Sequence, residues 1–148
     1  IGLGPGFEAE KDVNIVVETI RGHDLGRLIF RGMARENTGI PGIIGGKAKE
    51  RVIYSNVEGV IKNIKKIGDI VKKDEVLATI NDVAVRSPIT GVLRGLIRDG
   101  YNVTYGFKIG DIDPRKGEKE NCFTISDKAR NIGGSVLEAV LYLNRKNK

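Results

Sequence analysis

The sequence is short of the residues that most often do chemistry. It holds one cysteine, Cys122, and one histidine, His23. A single thiol excludes an internal disulfide and a multi-cysteine metal cluster. A single imidazole argues against an all-protein zinc site, so no resident metal is expected. Trp is absent, and four Tyr and four Phe are all the aromatics. A nucleic-acid binder wants a basic face interleaved with stacking residues. Here 25 Lys and Arg are interspersed with 19 Asp and Glu, so nucleic acid is not an expected partner. No apolar run approaches the ~20 residues that a membrane span needs. The opening segment Ile1–Phe7 is too short and too uncharged for a secretory signal. The expected location is therefore the reducing cytoplasm, with no membrane partner. What the 148 residues do contain is 40% apolar and 30% charged residues, the balance of a globular chain. Twenty glycines are about twice the usual share of roughly 7% and spread along the chain, which points to many turns. The first residue is Ile, and the run Ile1-Gly2-Leu3-Gly4-Pro5-Gly6-Phe7 reads as a strand end entering a loop. From this the chain is expected to be a fragment whose N-terminal part is missing.

Self-comparison finds a duplication. Ser55–Ile80 laid on Ser87–Ile112, an offset of 32 without a gap, gives six identities in 26 positions. These are Ser55/Ser87, Gly59/Gly91, Val60/Val92, Gly68/Gly100, Val71/Val103 and Ile80/Ile112. Chance would give about one or two at average residue usage. Each copy repeats the same grammar: a strand opening on Gly59 or Gly91, a turn at Gly68 or Gly100, and a closing strand such as Val76–Ile80. A glycine within a strand suggests a bulge or a close backbone approach, and one in a turn suggests positive φ. Half-units this short bury no face alone, whereas two related by a pseudo-twofold can wrap one core. The pattern resembles biotinyl and lipoyl carrier domains, and Ser87-Pro88-Ile89-Thr90-Gly91-Val92 matches their second-half landmark. In those carriers the modified lysine lies on the hairpin joining the halves. Here the joining segment is Asn81-Asp82-Val83-Ala84-Val85, which contains no lysine, so neither biotin nor lipoyl attachment is expected.

The flanks are less regular. Val13, Val16, Val17 and Ile20 fall on one face at helical spacing, so the pattern predicts a helix with Asp12 as N-cap. A polar loop Arg21-Gly22-His23-Asp24-Leu25-Gly26-Arg27 then feeds a strand over 28–30. Beyond the repeat, Cys122-Phe123-Thr124-Ile125 reads as a short strand and Ser126-Asp127 as the cap of a helical turn reaching Ile132. Gly133-Gly134 interrupt, and Ser135-x-x-Glu138 is a capping box for a final helix that buries Val136, Val140 and Leu143. The fold class that results is mainly β (α+β). It comprises an α/β lead-in over 1–50, a barrel-sandwich hybrid over 51–113, and a strand and C-terminal helix over 114–148 packed on the body.

With one thiol, one imidazole and several arginines, no nucleophile–base pairing is legible from spacing. The densest polar cluster is Arg21, His23, Asp24 and Arg27. Its two guanidiniums are suited to clamp a phosphate or another oxyanion, with His23 as proton donor; alternatively Asp24 pairs with one arginine and caps the loop. Asn37-Thr38-Gly39 offers backbone N–H groups to an anion or is a plain turn. Cys122, with Ser126 and Lys128 close behind it, is the remaining candidate. A nearby helix N-terminus and Lys128 would favour a thiolate, whereas burial would make Cys122 a small hydrophobe.

Four segments together carry a family resemblance: Ile1-Gly2-Leu3-Gly4-Pro5-Gly6-Phe7, Arg21-Gly22-His23-Asp24-Leu25-Gly26-Arg27, Asn37-Thr38-Gly39-Ile40-Pro41-Gly42 and Cys122-Phe123-Thr124-Ile125-Ser126-Asp127-Lys128-Ala129. In this order they resemble the accessory protein of the selenium-dependent molybdenum hydroxylase system, over essentially the whole chain. Members of that family resemble this chain preceded by a Rossmann-like half. The resemblance implies a maturation factor that contacts a molybdenum hydroxylase, its cofactor-maturation machinery or a cofactor intermediate. It assigns no reaction to individual residues and no cofactor, and it leaves oligomerisation open. An enzyme handling selenium or an oxyanion through Cys122 and the Arg21–Arg27 loop is the alternative, and a purely structural interaction module is a third.

Overall fold

Runs of consecutive β-branched residues, rather than helical stripes, decide most of this chain. A computed structural model describes residues 1–37 and 42–146. Its contacts divide the chain into two units, Ile1–Gly39 with Ile125–Lys148, and Ile40–Thr124. Among the described residues there are four sheets and one α-helix, so the protein is mainly β. No helix among them is long and apolar enough to cross a membrane.

In the first unit, strands β1 (Gly2–Leu3), β2 (Glu8–Ala9), β3 (Val16–Val17), β4 (Leu28–Ile29) and β5 (Gly32–Met33) form two small sheets. β3 is the centre of one, flanked by β1 in parallel and β4 antiparallel. The other pairs β2 with β5. The helix expected from Asp12 to Ile20 is absent, and the lead-in read as α/β has no α-helix among its described residues. Ile15, Val16 and Val17 are all fully buried. A strand covered on both faces needs such an unbroken β-branched run, and its residues then fall on helical spacing by accident. Asp12 serves a turn instead, accepting the Glu8 backbone N–H at 3.0 Å.

The C-terminal part of this unit is one helix, α1 (Asp127–Lys146). It runs straight through Gly133-Gly134, where two helices were expected. Ser126 Oγ accepts the Ala129 backbone N–H at 3.2 Å, an N-cap bond. Ser135 does not cap: its hydroxyl donates back to the Asn131 carbonyl at 3.1 Å, as a mid-helix serine does. The two glycines cost the helix about 1 kcal/mol each relative to alanine, and a Cβ on either would meet nothing within 4 Å. Ala139 is the fully buried residue of α1, with Val136 and Leu143 half-buried beside it; Val140, expected inside, is 40% exposed.

In the second unit the duplication becomes architecture. Its strands are β6 (Val52–Tyr54), β7 (Gly59–Asn63), β8 (Ile70–Val71), β9 (Val76–Ile80), β10 (Val83–Arg86), β11 (Gly91–Leu96), β12 (Asn102–Val103) and β13 (Lys108–Asp113). They form two four-stranded sheets, β10-β9-β7-β12 and β6-β13-β11-β8. Each strand of the first copy has its counterpart 32 positions on, and each pairing has its image: β7 with β9 as β11 with β13, β12 with β7 as β8 with β11. Backbone bonds repeat too: Ile61 N–H reaches Tyr101 O at 3.0 Å, and Leu93 N–H reaches Asp69 O at 2.8 Å. The buried core is made of the matched residues Ile53 and Val85, Ile61 and Leu93, Val71 and Val103, Leu77 and Ile109, Ile80 and Ile112. Gly59 and Gly91 are close-approach positions. A Cβ on the first would overlap the Asn81 side chain, and on the second the Asp113 carbonyl, which sits at the equivalent position. The joining hairpin turns on Asn81 and Asp82, both at positive φ (46° and 65°), as a two-residue primed turn requires.

After β13 the expected strand over Cys122–Ile125 is replaced by short 3-10 turns, Lys116–Glu118 and Glu120–Phe123, with the Cys122 N–H donated to Lys119 O at 3.0 Å. Alternation over four residues gave a strand pattern but no neighbouring strand to pair with.

Candidate functional site

The polar loop of the first unit is held by one carboxylate that the sequence reading passed over. Glu18 follows β3 directly and is 2% exposed. Its Oε1 accepts the N–H groups of Thr19 (2.7 Å) and Ile20 (2.8 Å), and its Oε2 accepts that of Arg35 (2.9 Å). Burial pushes this carboxyl up, but the three backbone donors and the Arg35 charge together hold it below its ordinary value. The Glu18 backbone also bonds to Gly26 and Arg27, drawing the two ends of the loop together. Gly26 is buried at positive φ where a Cβ would overlap the side chains of Asn131 and Ser135 on α1.

The charged residues of the loop are already engaged. Arg21 makes a two-pronged pair with Asp127 in the first turn of α1, at 2.8 and 2.9 Å. The Asp24 side chain, 11% exposed, bridges Arg27 at 2.8 Å and Arg35. Of the two arginines proposed for an oxyanion clamp, Arg27 lines the adjoining cavity and Arg21 does not, because Asp127 holds it elsewhere. Asp24 is instead paired with arginine, as in the alternative reading of this loop.

That cavity is an open groove of about 900 Å³. One wall is the loop and β4, with His23, Leu25, Gly26, Arg27, Leu28 and Phe30. The other is one face of α1, with Gly134, Leu137, Glu138, Leu141, Tyr142 and Arg145. Phe30 and Tyr142 close one end with ring centroids 4.8 Å apart. Much of the apolar lining is exposed: Leu137 60%, Leu141 56% and Phe30 44%. An apolar floor with a few polar groups at the rim is the usual chemistry of a binding cleft. Leu137 and Leu141, four residues apart, were visible in the sequence as a stripe opposite the buried face. Glu18 and Arg35 gave no signal, since each stands alone among unrelated neighbours in the chain.

The other candidates are dispersed. Asn37 is exposed, and Thr38 lies outside the described residues. Ser126 is the N-cap of α1, and Lys128 is half-buried in its first turn. Cys122 belongs to the second unit, half-buried in its 3-10 turn. Burial pushes its thiol up, with Asp113, Asp111 and Glu120 adding to the rise against Arg94, so it is the neutral thiol at pH 7. Asp113 itself is buried between Arg94 (3.0 Å) and Arg115 (2.8 Å); burial raises it, and the arginines bring it below its ordinary value. Among the described residues no group of three or more His, Cys, Asp or Glu is placed to hold a metal ion.

Comparison with known proteins gives one informative match. No family model matches the chain. It is 52% identical over 143 residues to the uncharacterized protein YqeB of Escherichia coli (strain K12). The match takes in 97% of this chain and 26% of that protein, so the chain spans about a quarter of its relative's length.

Proposed function

We propose that the chain is a non-enzymatic binding module of a cytoplasmic maturation factor for a selenium-dependent molybdenum hydroxylase. It would contact the target enzyme, its maturation machinery or a cofactor intermediate. The observation that carries the binding role is the open groove between the Arg21–Phe30 segment and α1, whose charged neighbours Arg21, Asp24 and Arg27 are all engaged in ion pairs. Paired guanidiniums and a neutral thiol favour recognition over group transfer. The order of the four motifs supports the pathway.

The second unit is read as a barrel-sandwich hybrid of the biotinyl and lipoyl kind. Two four-stranded sheets built from matched halves support this, as does a joining hairpin with Asn81-Asp82 at its tip. A carrier needs a primary amine on a long arm at that tip, and an amide and a carboxylate stand there, so the unit acts as a rigid spacer and binding body.

Deleting the gene in a host that makes a selenium-dependent molybdenum hydroxylase tests the pathway. The expected result is hydroxylase protein at its normal level but lacking activity and selenium, restored by the intact gene. Normal selenium content and activity in the deletion strain would overturn the reading.

A further inference from the structure

We infer that the groove of the first unit is a docking site for an acidic amphipathic helix of a protein partner. The inference deepens the binding-module reading and rests on it. Three observations point the same way. Leu137 and Leu141 stand four residues apart on α1 and are more than half exposed, so an apolar stripe runs along the groove without cover. Gly134 lies in the same wall, and neither it nor Gly133 is demanded by the fold, since a side chain on either would meet open space. Mid-helix glycines with no packing reason of their own are suited to let another backbone come close. Leu25, Leu28 and Phe30 opposite make the cleft two-sided, the form in which an amphipathic helix lays its apolar face into a groove.

Charge selects the occupant. Arg145 at the rim has no ion-pair partner among the described residues, and Arg27 shares its only carboxylate with Arg35. Glu138 is the one acid of the lining. A second copy of this chain is disfavoured on the same ground. α1 carries Lys128, Arg130, Arg145 and Lys146 against Asp127 and Glu138, so two such helices repel. A partner helix with apolar residues at i, i+3, i+4 and i+7 and acids on its flanks satisfies both the stripe and the rim.

The test uses the whole purified chain and a fluorescein-labelled synthetic peptide of about 15 residues. The peptide has Leu at the four stripe positions and Glu on the flanks; a second peptide carries Lys in place of Glu. Fluorescence anisotropy is expected to show saturable binding of the acidic peptide, at least ~10-fold tighter than the basic one. Gly134→Leu projects a side chain from the α1 wall into the groove and is expected to weaken binding at least ~10-fold while leaving the melting temperature equal or higher. Arg145→Glu is expected to reverse the preference between the two peptides. No saturable binding up to ~1 mM, equal affinity for both peptides, or wild-type binding by Gly134→Leu overturns the proposal. Self-association of the wild-type chain that Gly134→Leu abolishes also overturns it, in favour of a second copy. Failure of these arms alongside a hydroxylase-deficient deletion strain rejects the occupant and leaves the pathway standing.

Discussion

Glu18→Gln is the sharpest perturbation of the first unit, because it changes one atom of a buried side chain. The glutamine carbonyl can keep the bonds from Thr19 and Ile20. The amide then faces the Arg35 N–H, donor against donor, at a site 2% exposed. One buried donor is orphaned and the attraction to the Arg35 guanidinium is lost, which costs about 1–3 kcal/mol. In a unit of this size each kcal/mol moves the midpoint by about 4–8 °C. The folded carboxyl lies below its ordinary value, so its contribution is complete above the unfolded pKa of roughly 4.3. It is lost as pH falls through the folded pKa. The gap between wild type and variant should therefore be full at pH 7 and close progressively in acid. Thermal unfolding by circular dichroism from pH 7 to about pH 2.5 reads both quantities. Midpoints within about 1 °C at pH 7, or a gap that persists undiminished in strong acid, would refute the argument.

Further expectations follow from the second unit. Gly91→Ala and Gly59→Ala should each lose about 2–4 kcal/mol in urea unfolding, because the first meets the Asp113 backbone carbonyl and the second combines overlap with the Asn81 side chain and a φ of 136°; a loss below about 0.5 kcal/mol at either would refute the close-approach argument. The Cys122 thiol should react with a disulfide reagent at pH 7 at least ~10-fold more slowly than free cysteine, and match it in denaturant. A native rate equal to the free thiol's would restore the reactive reading. The intact mass from cells should carry neither biotin nor lipoyl, and a shift corresponding to either would contradict the assignment of Asn81-Asp82 to the hairpin tip.

What was legible in the sequence was what repeated. The offset between Gly59 and Gly91 located the opening and closing strands of each copy, because a duplication reports packing twice over; β6 and β10, outside the aligned segments, were not read as strands. The single-copy flanks had no such check. Val13, Val16 and Val17 fit a helical face, and only burial on both sides, which no local pattern encodes, separates that from a central strand. Gly133-Gly134 read as an interruption, yet Ser126 capping one end and Ala139 packing inside carry the helix across. At the groove, Arg27 and His23 were found by composition, whereas Glu18 acts through backbone donors, and a carboxylate's backbone partners leave no trace in sequence.

The exchange of strands between the two sheets has a further consequence. β6 and β8 are the edges of the sheet whose central pair, β13 and β11, belongs to the second copy, and β10 and β12 are the edges of the sheet whose central pair, β9 and β7, belongs to the first. Neither copy is therefore a folding intermediate in its own right: the central pair of each lacks two edges that only the other supplies, so β6 must wait for β13 and β10 for β9. Assembly depends on contacts across the full length of the unit, which makes it slow and all-or-none. Cut at Asn81-Asp82, the unit would yield two pieces that are unfolded apart and fold when mixed, with a rate that rises with concentration.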